Sequence, residues 1–80
     1  MGTDSIKPSQ CRAARAMLDW SRATLAATSG VGARTLADFE TGKRLPHQRV
    51  LRDVREALES AGIKFLDEND HDGPGVRLRI

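Results

Sequence analysis

Eighty residues with a formal charge of +2 and one cysteine allow a single small domain, and they exclude a deep substrate pocket enclosed by its own core and any internal disulfide. The charge is uneven: residues 1–55 carry ten Lys/Arg against five Asp/Glu, a balance of +5, and residues 56–80 carry three against six, a balance of −3. No apolar run reaches membrane-spanning length and no signal peptide is visible, so the chain reads as cytoplasmic with no membrane partner.

Residues 1–8 are polar and predict a flexible N-terminus. Ser9 is a suitable cap for a first helix over Gln10 to Asp19, where Ala13, Ala14, Ala16, Met17 and Leu18 all favour helix. Cys11, Ala14 and Leu18 share one face of it, which makes Cys11 a buried small hydrophobe rather than a reactive thiol. Trp20 follows as apolar cover over the joint. Ser21 can cap a second helix, Arg22 to Ser29. Gly30 stands where the chain must turn with positive φ, a conformation that costs glycine little.

Gly32 precedes a third helix, Ala33 to Thr41, which Gly42 stops. Lys43, Arg44, Leu45 and Pro46 form a basic connector. Pro46 introduces a fourth helix, His47 to Ala61, with His47 placed to cap it and Gly62 as its stop. Val50, Leu51, Val54, Leu58 and Ala61 make its apolar stripe, and Arg49, Arg52 and Arg55 recur every three residues on another face. Beyond Gly62, Ile63 and Phe65 suggest a strand, and Glu68 to Pro74 is turn-rich and acidic. Val76, Leu78 and Ile80 alternate with Arg77 and Arg79, as in a half-buried strand. A hairpin alone is marginal, so residues 63–80 should pack on the helices or pair with another chain.

The segment Arg22 to Phe39, RATLAATSGVGARTLADF, carries the most information. Ala26 is small where two helices would cross, Gly30 turns the chain, and Val31, Leu36 and Phe39 would face the core. Together with Leu25 this spacing describes a helix-turn-helix, whose second helix can lie in the DNA major groove. The series Arg15, Trp20-Ser21, Leu25-Ala26, Gly30-Val31, Leu36, Glu40, Gly42 and Pro46 closely resembles the Cro/C1-type (XRE-like) helix-turn-helix family of bacterial and phage regulators. The match runs from Gln10 to Gly62, about two-thirds of the chain. The fold expected is mainly α: a compact four-helix domain over 9–62 with a short C-terminal β-hairpin or strand over 63–80.

The resemblance implies base contacts at Ala33, Arg34 and Asp38. The Arg34 fork suits guanine O6 and N7, and Ala33 suits a thymine methyl. Asp38, four residues after Arg34, can steady the guanidinium or accept from a cytosine amino group. Phosphate contacts are expected from Arg22, Thr35, Thr41, Lys43 and Arg44. The family pattern also pairs an arginine of the first helix with a glutamate late in the recognition helix, and here these are Arg15 and Glu40. Two departures stand out: Arg22 replaces a frequent glutamine, and Gly32 replaces a frequent serine or threonine that would offer phosphate a hydroxyl.

The chain shows no catalytic constellation and implies no cofactor. His47 and His71 have no ligand spacing, and Glu68, Asp70 and Asp72 alternate without the glutamate and flanking helices of a calcium loop. The function expected is that of a sequence-specific double-stranded DNA-binding regulator, a repressor or autoregulator, bacterial or phage-encoded and nucleoid-associated. It would act as a homodimer on an inverted repeat, with residues 63–80 as the dimer element; a chain lacking them would fold as a weakly binding monomer. The alternative is a protein-interaction or antitoxin-like module that meets a protein partner through the tail.

Overall fold

The computed structural model describes residues 5–79. Four helices, α1 (Pro8–Leu18), α2 (Arg22–Ser29), α3 (Ala33–Glu40) and α4 (Gln48–Ser60), precede strands β1 (Ile63–Leu66) and β2 (Gly75–Leu78). The expectation of a flexible 1–8 falls partly on residues 1–4, and the last position of the expected strand, Ile80, also lies outside the described residues. Within the described part, Ile6 is already buried in the core and α1 starts at Pro8. Helix α1 therefore begins before the expected Gln10, and its N-cap is Lys7, not Ser9. Pro8 at the first helical position has a preset φ and no N–H to leave unsatisfied, and Gln10 Oε1 accepts the Lys7 N–H at 2.8 Å.

The other helix ends follow their cap residues. Ser21 Oγ accepts the Thr24 N–H at 3.0 Å, and His47 Nδ1 accepts the Arg49 N–H at 3.0 Å. Gly30 closes α2 at φ 75°, as its position in the turn demands. Helix α3 stops one residue before the expected Thr41, which is its C-cap. Gly42 at φ 77° lets its N–H reach Phe39 O at 3.0 Å while the Lys43 N–H reaches Asp38 O at 2.8 Å, the paired bonds of a Schellman stop.

The apolar stripes meet in one core. Cys11 and Ala14 of α1, Leu25 of α2, Leu36 and Phe39 of α3, and Leu51, Val54 and Leu58 of α4 are all buried. Ile63 and Phe65 belong to the same cluster. Each buried Leu, Val, Ile or Phe side chain of this cluster contributes about 1.5–3 kcal/mol by leaving water. Removal of residues 63–80 would open this core, so the folded truncated monomer expected from sequence does not accord with the packing. The strands pair antiparallel with Ile63 opposite Leu78 and Leu66 opposite Gly75. Only one strand of the hairpin is well buried: Val76 is half-buried and Leu78 is 41% exposed.

Among the described residues, Gln10 adds side-chain hydrogen bonds from α1 to the hairpin. Gln10 is 6% exposed, and its Nε2 donates to Gly75 O at 3.0 Å and to Leu66 O at 3.3 Å, the two carbonyls at the loop end of the ladder. On the other side, Arg55 sits over the Phe65 ring, 5.2 Å from its centroid, and bonds Glu59 Oε2 at 2.9 Å. Arg55 is therefore committed to holding the hairpin and does not continue a free basic stripe with Arg49.

Candidate nucleic-acid interface

Helix α3 is divided lengthwise. Leu36, Phe39 and Glu40 are buried, whereas Ala33, Arg34 and Thr35 are exposed on its first turn. The spacing 36, 39, 40 is the core stripe of a 3.6-residue helix, and it sends the first-turn side chains outward. Gly32, the N-cap, offers no side-chain acceptor, so no cap consumes the first-turn N–H groups of α3. This end of the helix presents donors and a partial positive charge.

The Arg34 side chain is 86% exposed, and its Nε lies 3.7 Å from Asp38 Oδ2. That separation is an ion pair without a hydrogen bond, worth about 0–1 kcal/mol at an exposed site. Asp38 thus positions the guanidinium without fastening it. Arg34, Thr35, Asp38, Arg44 and Pro46 line one shallow groove of about 300 Å³ beside the helix. Ala33, Thr41 and Lys43 lie outside that groove.

Thr41 Oγ1 donates to Ala37 O at 2.9 Å, so its hydroxyl proton is used within the helix and reaches a phosphate only if that bond opens. Lys43 and Arg44 are exposed, and both backbone N–H groups bond Asp38 O, at 2.8 and 3.2 Å. The connector that carries these two cations is consequently tied to the end of α3.

Behind the exposed face lies a buried charge centre. Glu40, 1% exposed, accepts two bonds from Arg15, Nε to Oε2 and NH2 to Oε1, each 2.7 Å. Cys11 Sγ donates to Oε2 at 3.0 Å, and Arg22 Nε approaches Oε1 to 3.7 Å. Arg15 also donates to Trp20 O at 3.0 Å, and Arg12 NH1 donates to the Glu40 backbone carbonyl. Burial alone would raise the Glu40 carboxyl, but hydrogen bonds from Arg15 and Cys11 and the charges of Arg15 and Arg22 outweigh it and hold the group below its ordinary range. Burial pushes the Cys11 thiol far up, and its bond to Glu40 adds to the effect. Through this centre α1 and the start of α2 grip the end of α3. Arg22, expected at the DNA backbone, stands with its side chain 46% exposed and faces Glu40 on one side.

The helix-turn-helix family model HTH_3 matches residues 12–62. The chain belongs to the Cro/C1-type helix-turn-helix family. With that family comes the function class, a DNA-binding helix-turn-helix regulator. No curated protein matches the chain. The matched span runs from the middle of α1 through α4 to Gly62, and the hairpin that completes this helix-turn-helix core lies beyond it. Among the described residues, no group of His, Cys, Asp and Glu is placed to hold a metal ion, and no helix is long and apolar enough to cross a membrane.

Sequence reasoning did not find the roles of Gln10, Arg12 and Cys11 in these contacts. Each acts on a carbonyl or carboxylate at least 28 residues away in the chain. Only for Gln10 was there a local signal, a glutamine at the third helical position behind a proline.

Proposed function

We propose that the chain is a sequence-specific transcription regulator, a repressor or autoregulator, that reads the major groove with the first turn of α3 as a homodimer on an inverted-repeat operator. The observation that carries this reading is the exposure of Arg34 on a helix whose opposite face is locked into the core. Arg34 reads guanine in a bidentate manner, Asp38 sets its direction, and Ala33 meets a thymine methyl. Lys43 and Arg44 hold the phosphate backbone, with Arg22, Thr35 and the first-turn amides of α3 as further backbone contacts.

The dimer follows from economy of contact. One short helix reaches few base pairs, and two half-sites about one helical turn apart multiply both affinity and discrimination. Footprinting on the DNA flanking the chain's own coding region, at stated salt, tests the reading. The expected result is a short symmetric footprint, which Arg34→Ala weakens by a factor of roughly 5–150, about 1–3 kcal/mol. A featureless smear, or a footprint indifferent to Arg34→Ala, overturns groove reading.

A further inference from the structure

The hairpin carries two charged groups of side chains that no ion pair among the described residues engages. Alternation along the strands sends Ile63, Phe65 and Val76 inward and Lys64, Arg77 and Arg79 to the opposite face, and all three cations are exposed. The register sets Lys64 directly opposite Arg77, a like-charge pair that weakens a sheet. Among the described residues, none of the three cations has a carboxylate within ion-pair distance.

At the hairpin tip, Asp67, Glu68, Asp70 and Asp72 are exposed and equally without a cation among the described residues. The root of the hairpin is closed by Arg79 N–H donating to Gly62 O at 2.6 Å, and the tip end by the Leu66–Gly75 pair. Four residues of strand separate these pairs, roughly 13 Å, which holds the tip carboxylates away from the Arg79 end of their own hairpin.

We propose that the cationic outer face of the hairpin is the contact with a second copy of this chain, which lays its acidic turn on Lys64, Arg77 and Arg79. Two hairpins set antiparallel about a two-fold axis bring each tip to the other's root, so one symmetric contact satisfies both charge sets. A parallel arrangement would set cation against cation. A DNA strand on the same face would engage the three cations and leave the tip carboxylates without a partner. The inference rests on the homodimer reading above and assigns the surface that forms the dimer.

The test uses two charge-reversed variants of the full chain: Lys64→Glu with Arg77→Glu, and Asp70→Lys with Asp72→Lys. All four positions are exposed, and circular dichroism checks that each variant folds. Sedimentation at low salt should show each variant alone dimerising at least tenfold more weakly than the parent chain. An equimolar mixture should restore dimers containing one of each, seen as the mixed mass in native mass spectrometry. Reversed variants that dimerise like the parent, or folded variants whose mixture does not pair, overturn the hairpin contact. So does a face variant that stays dimeric and loses affinity for duplex DNA, which would assign the cations to phosphate. A parent chain that is monomeric even on its operator overturns the homodimer reading as well.

Discussion

Replacing Glu40 by glutamine keeps the side-chain shape and removes the charge on which Arg15, Arg22 and Cys11 converge. Arg15 would then keep its position beside an amide that cannot neutralise it, and one amide N–H would face a guanidinium N–H. Removing one partner of a buried pair costs about 3–5 kcal/mol. The Arg15 side chain retains 19% exposure, which places the cost near the lower figure, about 3 kcal/mol. A domain of eighty residues has about 4–12 kcal/mol in total, so the substitution removes a large share of it. The melting temperature should fall by roughly 12–24 °C. Urea and thermal denaturation followed by circular dichroism measure both quantities. The pH dependence gives an independent reading. The Glu40 carboxyl is held below its ordinary value of 4.5 when folded, so its stabilisation is complete above that value and drains away as pH falls through the lower folded value. The parent chain should lose stability with acid more steeply than Glu40→Gln does. Joint replacement, Arg15→Met with Glu40→Leu, should recover most of the loss. A Glu40→Gln chain within about 0.5 kcal/mol of the parent, or one with the same acid profile, would refute the account of α3 as held by this centre.

Lys43→Ala and Arg44→Ala should each weaken binding to specific and random duplexes alike and lower the slope of log affinity against log salt by about 1, measured by fluorescence anisotropy across a salt series. Loss of discrimination without a change in slope would instead place them at base edges. Gln10→Ala leaves the Leu66 and Gly75 carbonyls and the Lys7 N–H short of a partner, and should cost about 1–3 kcal/mol with faster hydrogen exchange at Lys7 and along the hairpin. Unchanged exchange would show that the hairpin is held by its apolar face alone. Cys11 is fully buried and its thiol is pushed up, so iodoacetamide at pH 8 should leave it unmodified until urea unfolds the chain. Rapid alkylation of the native protein would contradict its place beside Glu40.

Much of this architecture was legible because it is local. Helix α2 carries its own start in Ser21 and its own stop in Gly30. The stripe of α4 repeats often enough to define a face. Gly42 marks the end of α3 to within one residue. The start of α1 was misread for a physical reason: Ser9 has the stronger cap preference, but Pro8 and Gln10 together favour a start two residues earlier. What remained hidden was long-range. Nothing near Gln10 says that it will meet carbonyls 56 and 65 residues away, and nothing near Arg55 says that Phe65 will lie beneath it. The outward face of α3 was legible from periodicity, whereas the commitment of the Thr41 hydroxyl to Ala37 and the lean of Arg22 towards Glu40 needed coordinates. The acidic turn and the alternation of Arg77 and Arg79 were legible in the tail, whereas the placing of Lys64 directly opposite Arg77 needed the pairing register.

The lengthwise division of α3 has an evolutionary corollary. Ala33, Arg34 and Thr35 fill no core volume and support no neighbouring element, so exchanges there should cost within about 0.5 kcal/mol of folding stability. The residues that fix the helix in place are a different set, Leu36, Phe39 and Glu40. Address and scaffold can therefore drift independently. On the groove reading proposed above, a duplicated copy acquires a new target by changing Ala33 and Arg34 while its fold stays under unaltered selection.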